Sequence, residues 1–303
     1  MGGIDRVLRS SWIGRRLGWL RRVSPRGYVW LRNVYQRLST RGSGDGLSLY
    51  QRRAVDDFVS ETPQRLLEEG VLEIGSDSVG RVLRALIARG ATRVVGVNPE
   101  LTADEVEHLT QELPSSSYVA AVDLLSSGLP SDSFGAIFSV AVFEHLTEFE
   151  RGLAEMHRLL VAGGRVYAAF GPIWSSSLGH HVTASADGIE LRHDDPRLNP
   201  IADHSHLLLS ADEMRRQIAA RFTPAVADAA VHRIYIANTL SRLFYEDYLA
   251  AFAASPFRVL KVTTDEEAVP AERLAALRSA YPGRAVFNVR NVVCVLEKPT
   301  DHP

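Results

Sequence analysis

Val71-Leu72-Glu73-Ile74-Gly75-Ser76-Asp77-Ser78-Val79-Gly80 is the stretch whose reading decides the fold. Val71 to Ile74 reads as a short buried strand, and the small residues from Gly75 onward read as a tight turn. Val82, Leu83, Leu86 and Ile87 recur at helical spacing over a helix predicted from about Val79 to Arg89. Strand, glycine turn and helix in that order open a nucleotide-type βαβ unit. In a dinucleotide fingerprint the second glycine lets the backbone approach a pyrophosphate. In Gly75-x-Asp77-x-x-Gly80 that place is an aspartate, whose charge repels a phosphate and tolerates a cation.

The rhythm continues along the chain. A second strand is predicted at Arg93 to Val97, ending on Asn98-Pro99, then a helix over Leu101 to Leu113 and a third strand at Tyr118 to Val122, stopping at Asp123-Leu124. Gly128-Leu129-Pro130-Ser131-Asp132-Ser133-Phe134-Gly135-Ala136-Ile137 leads into a fourth strand that ends near Val142-Phe143-Glu144-His145-Leu146. Glu150 to Leu160 is amphipathic at helical spacing, and Gly163-Gly164 ends that helix before a fifth strand running to Phe170. Five such units in register require a parallel, doubly wound sheet.

From Ile173 to about Leu240 the rhythm stops, and this segment holds six of the ten histidines: His180, His181, His193, His204, His206 and His232. It resumes with a helix at Ser241 to Ala254, a strand at Phe257 to Thr263, a helix at Pro270 to Ala280 and a last strand at Val286 to Leu296.

These motifs resemble the class I S-adenosylmethionine (SAM)-dependent methyltransferases, of the methyltransferase type 11 kind. The resemblance covers residues 70 to 172 well and 241 to 297 loosely. Glu73 and Gly75 match the family's acid-x-Gly-x-Gly-x-Gly turn, while Asp77 and Val79 replace its second and third glycines and Gly80 follows one place late. SAM carries no phosphate, and its sulfonium and amino groups are cationic, so Asp77 is compatible with it. The resemblance implies a Rossmann-like α/β fold, a seven-stranded, mostly parallel sheet, with an N-terminal helical cap and a lid insertion after strand five. It also implies that SAM is held by Glu73, Gly75, Asp77, Gly80, Asn98, Asp123 and Leu124. Asn98 stands where the family has a ribose-binding acid, and an amide oxygen accepts the hydroxyls without charge assistance. Asp123 accepts the adenine amino group, with the Leu124 N–H facing a ring nitrogen. Gly135 replaces an Asp of the family pattern, and Tyr50, on a helical stretch from Leu49 to Leu67, is a plausible lid.

The expected domains are a basic arm or cap at 1–48, a SAM-binding core at 49–172, a substrate-lid insertion at 173–240 and the rest of the core at 241–299. Residues 1 to 41 carry ten Arg against Asp5 alone, a local charge of +9 in a chain of net charge -2. A solvated capping face, a weak contact with an anionic surface and a transit segment are the readings open for this arm. The overall charge implies no nucleic-acid partner, and no apolar run reaches the roughly 18 residues of a membrane span. The lone Cys294 excludes an internal disulfide and fits a reducing, cytoplasmic location. Only Lys261 and Lys298 of the 34 basic residues are lysine, which reads as a GC-rich bacterial coding preference.

Methyl transfer needs an acceptor held in line with the departing sulfur and, for an alcohol or phenol, relieved of its proton. Histidine suits that task near neutral pH. His145, at the end of strand four, with His181 and His204 in the insertion, are the catalytic candidates. His180, His206 and Tyr245 are candidates for contact with the substrate, although Tyr245 also fits a core position by its helical spacing. The histidines could alternatively hold a divalent metal, but their spacing matches no ligand pattern and none is assigned. The function implied is methylation of a small-molecule acceptor at O, N or C, in natural-product or glycan biosynthesis. The alternative is a non-catalytic binding or scaffold subunit that keeps the fold with degenerate motifs.

Overall fold

The computed structural model describes residues 46–300. The basic arm, its expected helix around Ile13, Leu17 and Leu20, and the joint from Arg41 to Asp45 lie outside the described residues. The chain forms two compact units. One runs through Trp174 and takes up Leu240–Ala268 and the chain from Val289, and the other combines Ser175–Thr239 with Val269–Asn288.

The first unit opens with α1 (Leu49–Glu61), started by a capping box in which Ser48 and Gln51 satisfy each other's backbone N–H groups. The helical pattern of Leu49 to Leu67 is broken at Thr62-Pro63, because Pro63 has no N–H to continue the ladder, and a short α2 (Gln64–Glu68) follows. Then come β1 (Val71–Ile74), α3 (Arg81–Ala88), β2 (Val94–Val97), α4 (Ala103–Glu112), β3 (Tyr118–Ala120), β4 (Phe134–Val140), α5 (Phe149–Leu159) and β5 (Leu160–Phe170). After β5 the second unit supplies a hairpin, β6 (Thr183–Ala186) and β7 (Ile189–Arg192), then α6 (Ser205–Leu208), α7 (Ala211–Ala219) and α8 (Pro224–Val231). The first unit resumes with α9 (Tyr245–Ala254) and β8 (Arg258–Glu266), and β9 (Val289–Glu297) closes it, while the intervening α10 (Ala271–Ala280) belongs to the second unit.

The sheet order is β3-β2-β1-β4-β5-β9-β8. β9 runs antiparallel to both neighbours and every other pairing is parallel, so this is the seven-stranded, mostly parallel Rossmann-like sheet expected from the sequence. β1 is buried along its whole length and central, so its carboxyl end opens onto the point where strand order reverses, between β2 and β4. Phe58 of α1 packs edge-on to Phe138, with ring centroids 5.1 Å apart, and Phe138 stacks on Tyr167 at 5.8 Å. A second aromatic group gathers Phe149, Phe170 and Tyr248, each ring about 5.0 Å from Tyr248. Gly135 is fixed by the same packing: a Cβ there would stand 2.2 Å from the Leu66 carbonyl oxygen, leaving no room for an aspartate.

The second unit draws in α10, which the sequence reading grouped with the core. Two bonds account for the difference. The Tyr281 hydroxyl donates to the Leu207 carbonyl at 2.9 Å, and the His204 Nε2 lies 2.9 Å from the Phe287 carbonyl.

Candidate functional site

The turn after β1 is built by short side chains that satisfy one another. The Glu73 carboxylate, buried on β1, accepts the Ser76 hydroxyl at 2.7 Å. Burial, and secondly the charge of Asp77, push the Glu73 carboxyl up to about 8, against the pull of the Ser76 bond. Ser76 is itself fully buried, with its Oγ only 2.2 Å from where a Cβ on residue 96 would be, so β2 must carry Gly96. Gly75 sits at φ +89 and donates its N–H to the Val97 carbonyl at 2.8 Å.

Asp77 takes over the work of the missing glycines. Its Oδ1 accepts the Val79 N–H at 2.7 Å, an Asx turn, and its main-chain carbonyl accepts the Gly80 N–H at 3.0 Å. Gly80 then caps α3 in the left-handed conformation, so the helix begins at Arg81, two residues later than predicted. The Arg84 guanidinium reaches back to the Val79 carbonyl and ties the turn to its helix. The other oxygen of Asp77, Oδ2, is buried with no hydrogen-bond partner.

Asn98 stands at the end of β2 as expected, with both ends of its amide already engaged. Nδ2 donates to the Ser76 carbonyl at 2.9 Å, and Oδ1 accepts the Glu100 N–H at 2.9 Å, leaving that oxygen one lone pair for a further donor. Asp123 follows β3 and uses Oδ1 to accept the Leu125 N–H at 2.8 Å, starting the short helical turn Leu124–Ser126 in which Leu124 is buried. The seven residues assigned to the cofactor therefore lie at the carboxyl ends of adjacent strands β1, β2 and β3, Glu73 on β1 itself and the other six on the three loops that follow.

The end of β4 contributes a residue that sequence reasoning passed over. Past Ala141, at φ +56, the chain makes the helical turn Phe143–His145. His145 is half-buried there, whereas Glu144 is 3% exposed. Glu144 Oε1 accepts the Gly171 N–H just beyond β5 at 3.1 Å, while Oε2 is buried with no partner. Burial pushes the Glu144 carboxyl up to about 8, against its bonds to the backbone. Tyr50 of α1 lies close enough that burial first, then Glu144 and Asp265, hold its phenol well above the ordinary range. The sequence signal is a carboxylate flanked by Phe143 and His145 at a strand end. Tyr245 is half-buried at the first turn of α9, near Glu266 and Glu246, while Tyr248 is the core residue of that helix.

In the second unit the histidines do gather. The His180 ring lies 5.4 Å from His206 and 6.4 Å from His193, and His181 lies 4.8 Å from His193. His180, His181, His204 and His206 are buried. His180 Nδ1 accepts the Val182 N–H at 3.1 Å, and burial, reinforced by His206, His193 and His181, holds its pKa well below the ordinary imidazole value. It is therefore neutral, with its hydrogen on Nε2. His204 is at φ 58, with Nε2 on the Phe287 carbonyl. No group of three or more acidic, histidine or cysteine side chains among the described residues has the geometry of a metal site.

Residues 72–168 match the family model described as a methyltransferase domain. Over those residues the core is similar to methyltransferase domains and has their fold. SAM is the cofactor that goes with it, and the residues present fit that molecule. Asp77 Oδ2 and Glu144 Oε2 are buried carboxyl oxygens with no hydrogen-bond partner, suited to a ligand bearing an ammonium and a sulfonium. Similar solved structures include an S-adenosylmethionine-dependent methyltransferase from Mesorhizobium loti, 16% identical over 80% of this chain and 97% of that one, with a TM-score of 0.46. The YcgJ protein from Bacillus subtilis is 13% identical over 83% of this chain and 100% of its own, also at 0.46. The [4+2]-cyclase SpnF is 16% identical over 82% of each chain, at 0.46. Among curated proteins none matches the chain. No helix among the described residues is long and apolar enough to cross a membrane.

Proposed function

We propose that the chain is a SAM-dependent methyltransferase acting on a small-molecule acceptor in a reducing compartment. The single observation that carries the reading is the buried, unpartnered Asp77 Oδ2 in the turn that follows Gly75. An unpaired carboxylate oxygen out of water is costly unless a donor or cation meets it, and SAM brings both. The bound cofactor supplies an electrophilic methyl group. Gly75 lets the ligand approach the backbone, Asp77 holds its cationic end, the remaining lone pair of Asn98 takes a ribose hydroxyl, and Asp123 with Leu124 takes the adenine edge. His145, His181 and His204 are the groups the sequence assigns to proton handling, and His180, His206 and Tyr245 those it assigns to the acceptor. An acceptor in natural-product or glycan biosynthesis fits this reading.

A second reading is favoured by Asn98, whose amide is already tied to Ser76 and Glu100: a non-catalytic subunit that keeps the fold. Calorimetric titration of the purified protein separates the two. Heat of binding with SAM and with S-adenosylhomocysteine is expected, and a folded sample that gives none at high micromolar ligand sinks the enzyme.

A further inference from the structure

We propose that Glu144 is the proton acceptor of the methyl transfer, its unpartnered Oε2 receiving the proton of the acceptor. The inference rests on the methyltransferase reading and deepens it. Four observations of the core unit carry it.

Glu144 lies at the cofactor turn. Val142, two residues earlier, packs against Gly75, its Cγ2 being 2.3 Å from the position of an added Cβ. The Glu144 carboxylate is locked in direction, since Oε1 takes the Gly171 N–H and the Glu144 carbonyl takes the Ser241 N–H at 2.9 Å. The second oxygen, Oε2, is buried and has no partner, although every other requirement of the side chain is met. Finally, the groups that act on its carboxyl among the described residues include no cation: they are the Gly171 N–H and its own backbone, while Tyr50 of α1 and Tyr248 of α9 face it, Tyr248 bonded to the Ser241 hydroxyl at 2.8 Å. Both are phenols, which are neutral or anionic, so neither supplies positive charge. The carboxyl is accordingly pushed up to about 8 and holds its proton at neutral pH.

A carboxyl of this kind changes state when a cation is placed beside it, because an opposite charge in a dry site favours the ionised form. In the loaded site Glu144 is then a carboxylate with an oxygen free to accept. An acceptor bearing O–H or N–H loses its proton to Oε2 as its lone pair bonds to the methyl carbon and the C–S pair departs with sulfur. One positive and one negative charge become two neutral groups, so the step leaves no net charge behind in the buried site. The same logic restricts the substrate class to nucleophiles that carry a dissociable proton.

The test needs no acceptor. Calorimetry at pH 7 in two buffers of different ionisation enthalpy counts the protons released when SAM or S-adenosylhomocysteine binds. The two ligands share the amino acid and adenosine parts and differ in the sulfonium charge. The wild type is expected to release close to one proton more with SAM than with S-adenosylhomocysteine, and Glu144→Gln, which keeps the Gly171 bond, to bind both ligands with that difference gone. Glu73, the other buried acid near the turn, already has the Ser76 hydroxyl as its donor at 2.7 Å, so the assignment is read in Glu144→Gln. Infrared difference spectra of the wild type give a second readout: the protonated carboxyl band should bleach with SAM and stay with S-adenosylhomocysteine. Equal proton release with the two ligands, or a difference that survives in Glu144→Gln, overturns the assignment while leaving the cofactor reading intact. Absence of binding by either ligand instead overturns the methyltransferase reading beneath it.

Discussion

Val142 occupies the space that a side chain on Gly75 would need: its Cγ2 stands 2.3 Å from the ideal Cβ position. The contact joins the β1 turn to the end of β4, and Gly75 is at φ +89, a conformation that costs an L-residue at least about 1–2 kcal/mol. Gly75→Ala therefore meets a steric and a backbone penalty together. It is expected to abolish SAM binding in calorimetry and to lower the melting temperature. Adding Val142→Ala should return part of the lost stability by relieving the clash, without restoring affinity, because φ is still wrong.

Asn98→Asp, which on sequence grounds alone restores the family's ribose acid and tightens binding, is expected to weaken it. Asn98 Nδ2 is the donor that holds the Ser76 carbonyl at 2.9 Å, and an aspartate there sets a carboxylate oxygen against that carbonyl. Loss of one hydrogen bond plus repulsion is worth about 1–3 kcal/mol, or on the order of tenfold or more in Kd. Tighter binding by Asn98→Asp, measured by the same titration, would mean that the ribose interaction outweighs the turn.

The cofactor-free protein should lose stability as pH rises from about 5 to 8. Glu73 and Glu144 are both pushed up to about 8 in the fold, so over this range the unfolded chain has released protons that the folded one retains. Their contribution is full below the ordinary carboxylate range and is gone once pH has passed through 8. It amounts to on the order of a few kcal/mol for each carboxyl. His180 works the other way, since its depressed pKa gives stability that is lost as pH falls below the ordinary imidazole value. Denaturant midpoints against pH for wild type and Glu144→Gln isolate the carboxyl. The variant should have the shallower fall, and parallel curves would place Glu144 ionised already in the free protein.

The fold was legible because a buried parallel strand must be apolar and must end in a turn. Val71–Ile74, Val94–Val97 and Phe134–Val140 carry that pattern, and the glycine pair at 163–164 marks the junction before β5. What the sequence could not show is which partner each polar side chain finds. Asp77 reads as a missing glycine, yet it closes the turn through an Asx bond to Val79, a contact set by φ and ψ rather than by spacing. Glu144 and His145 are equivalent as letters, and only the helical turn after Ala141 buries one and half-exposes the other. The break of the first helix at Pro63 was readable, but the apolar pattern runs through it and masked it. α10 shows the limit most clearly. Its helical period was plain, while its place in the second unit depends on Tyr281 and Phe287, partners more than seventy residues from Leu207 and His204.

Those two partners define the last prediction. Phe287 is fully buried, and its carbonyl accepts from His204 Nε2 at 2.9 Å, so removing the imidazole takes away a buried hydrogen bond worth about 0.5–1.5 kcal/mol. His204→Ala is expected to open the second unit to proteolysis, with cleavage rising in 175–239 and 269–288. Tyr281→Phe removes the parallel bond to Leu207 and should produce a smaller effect of the same kind. The decisive variant is His204→Gln, which brings an amide N–H to a similar reach and should restore resistance if the bond is what matters. Protection that follows the donor in this way assigns His204 to holding the unit together. If Ala and Gln variants resist digestion equally with the wild type, the bond contributes nothing to the unit, and the imidazole of His204 is left for chemistry.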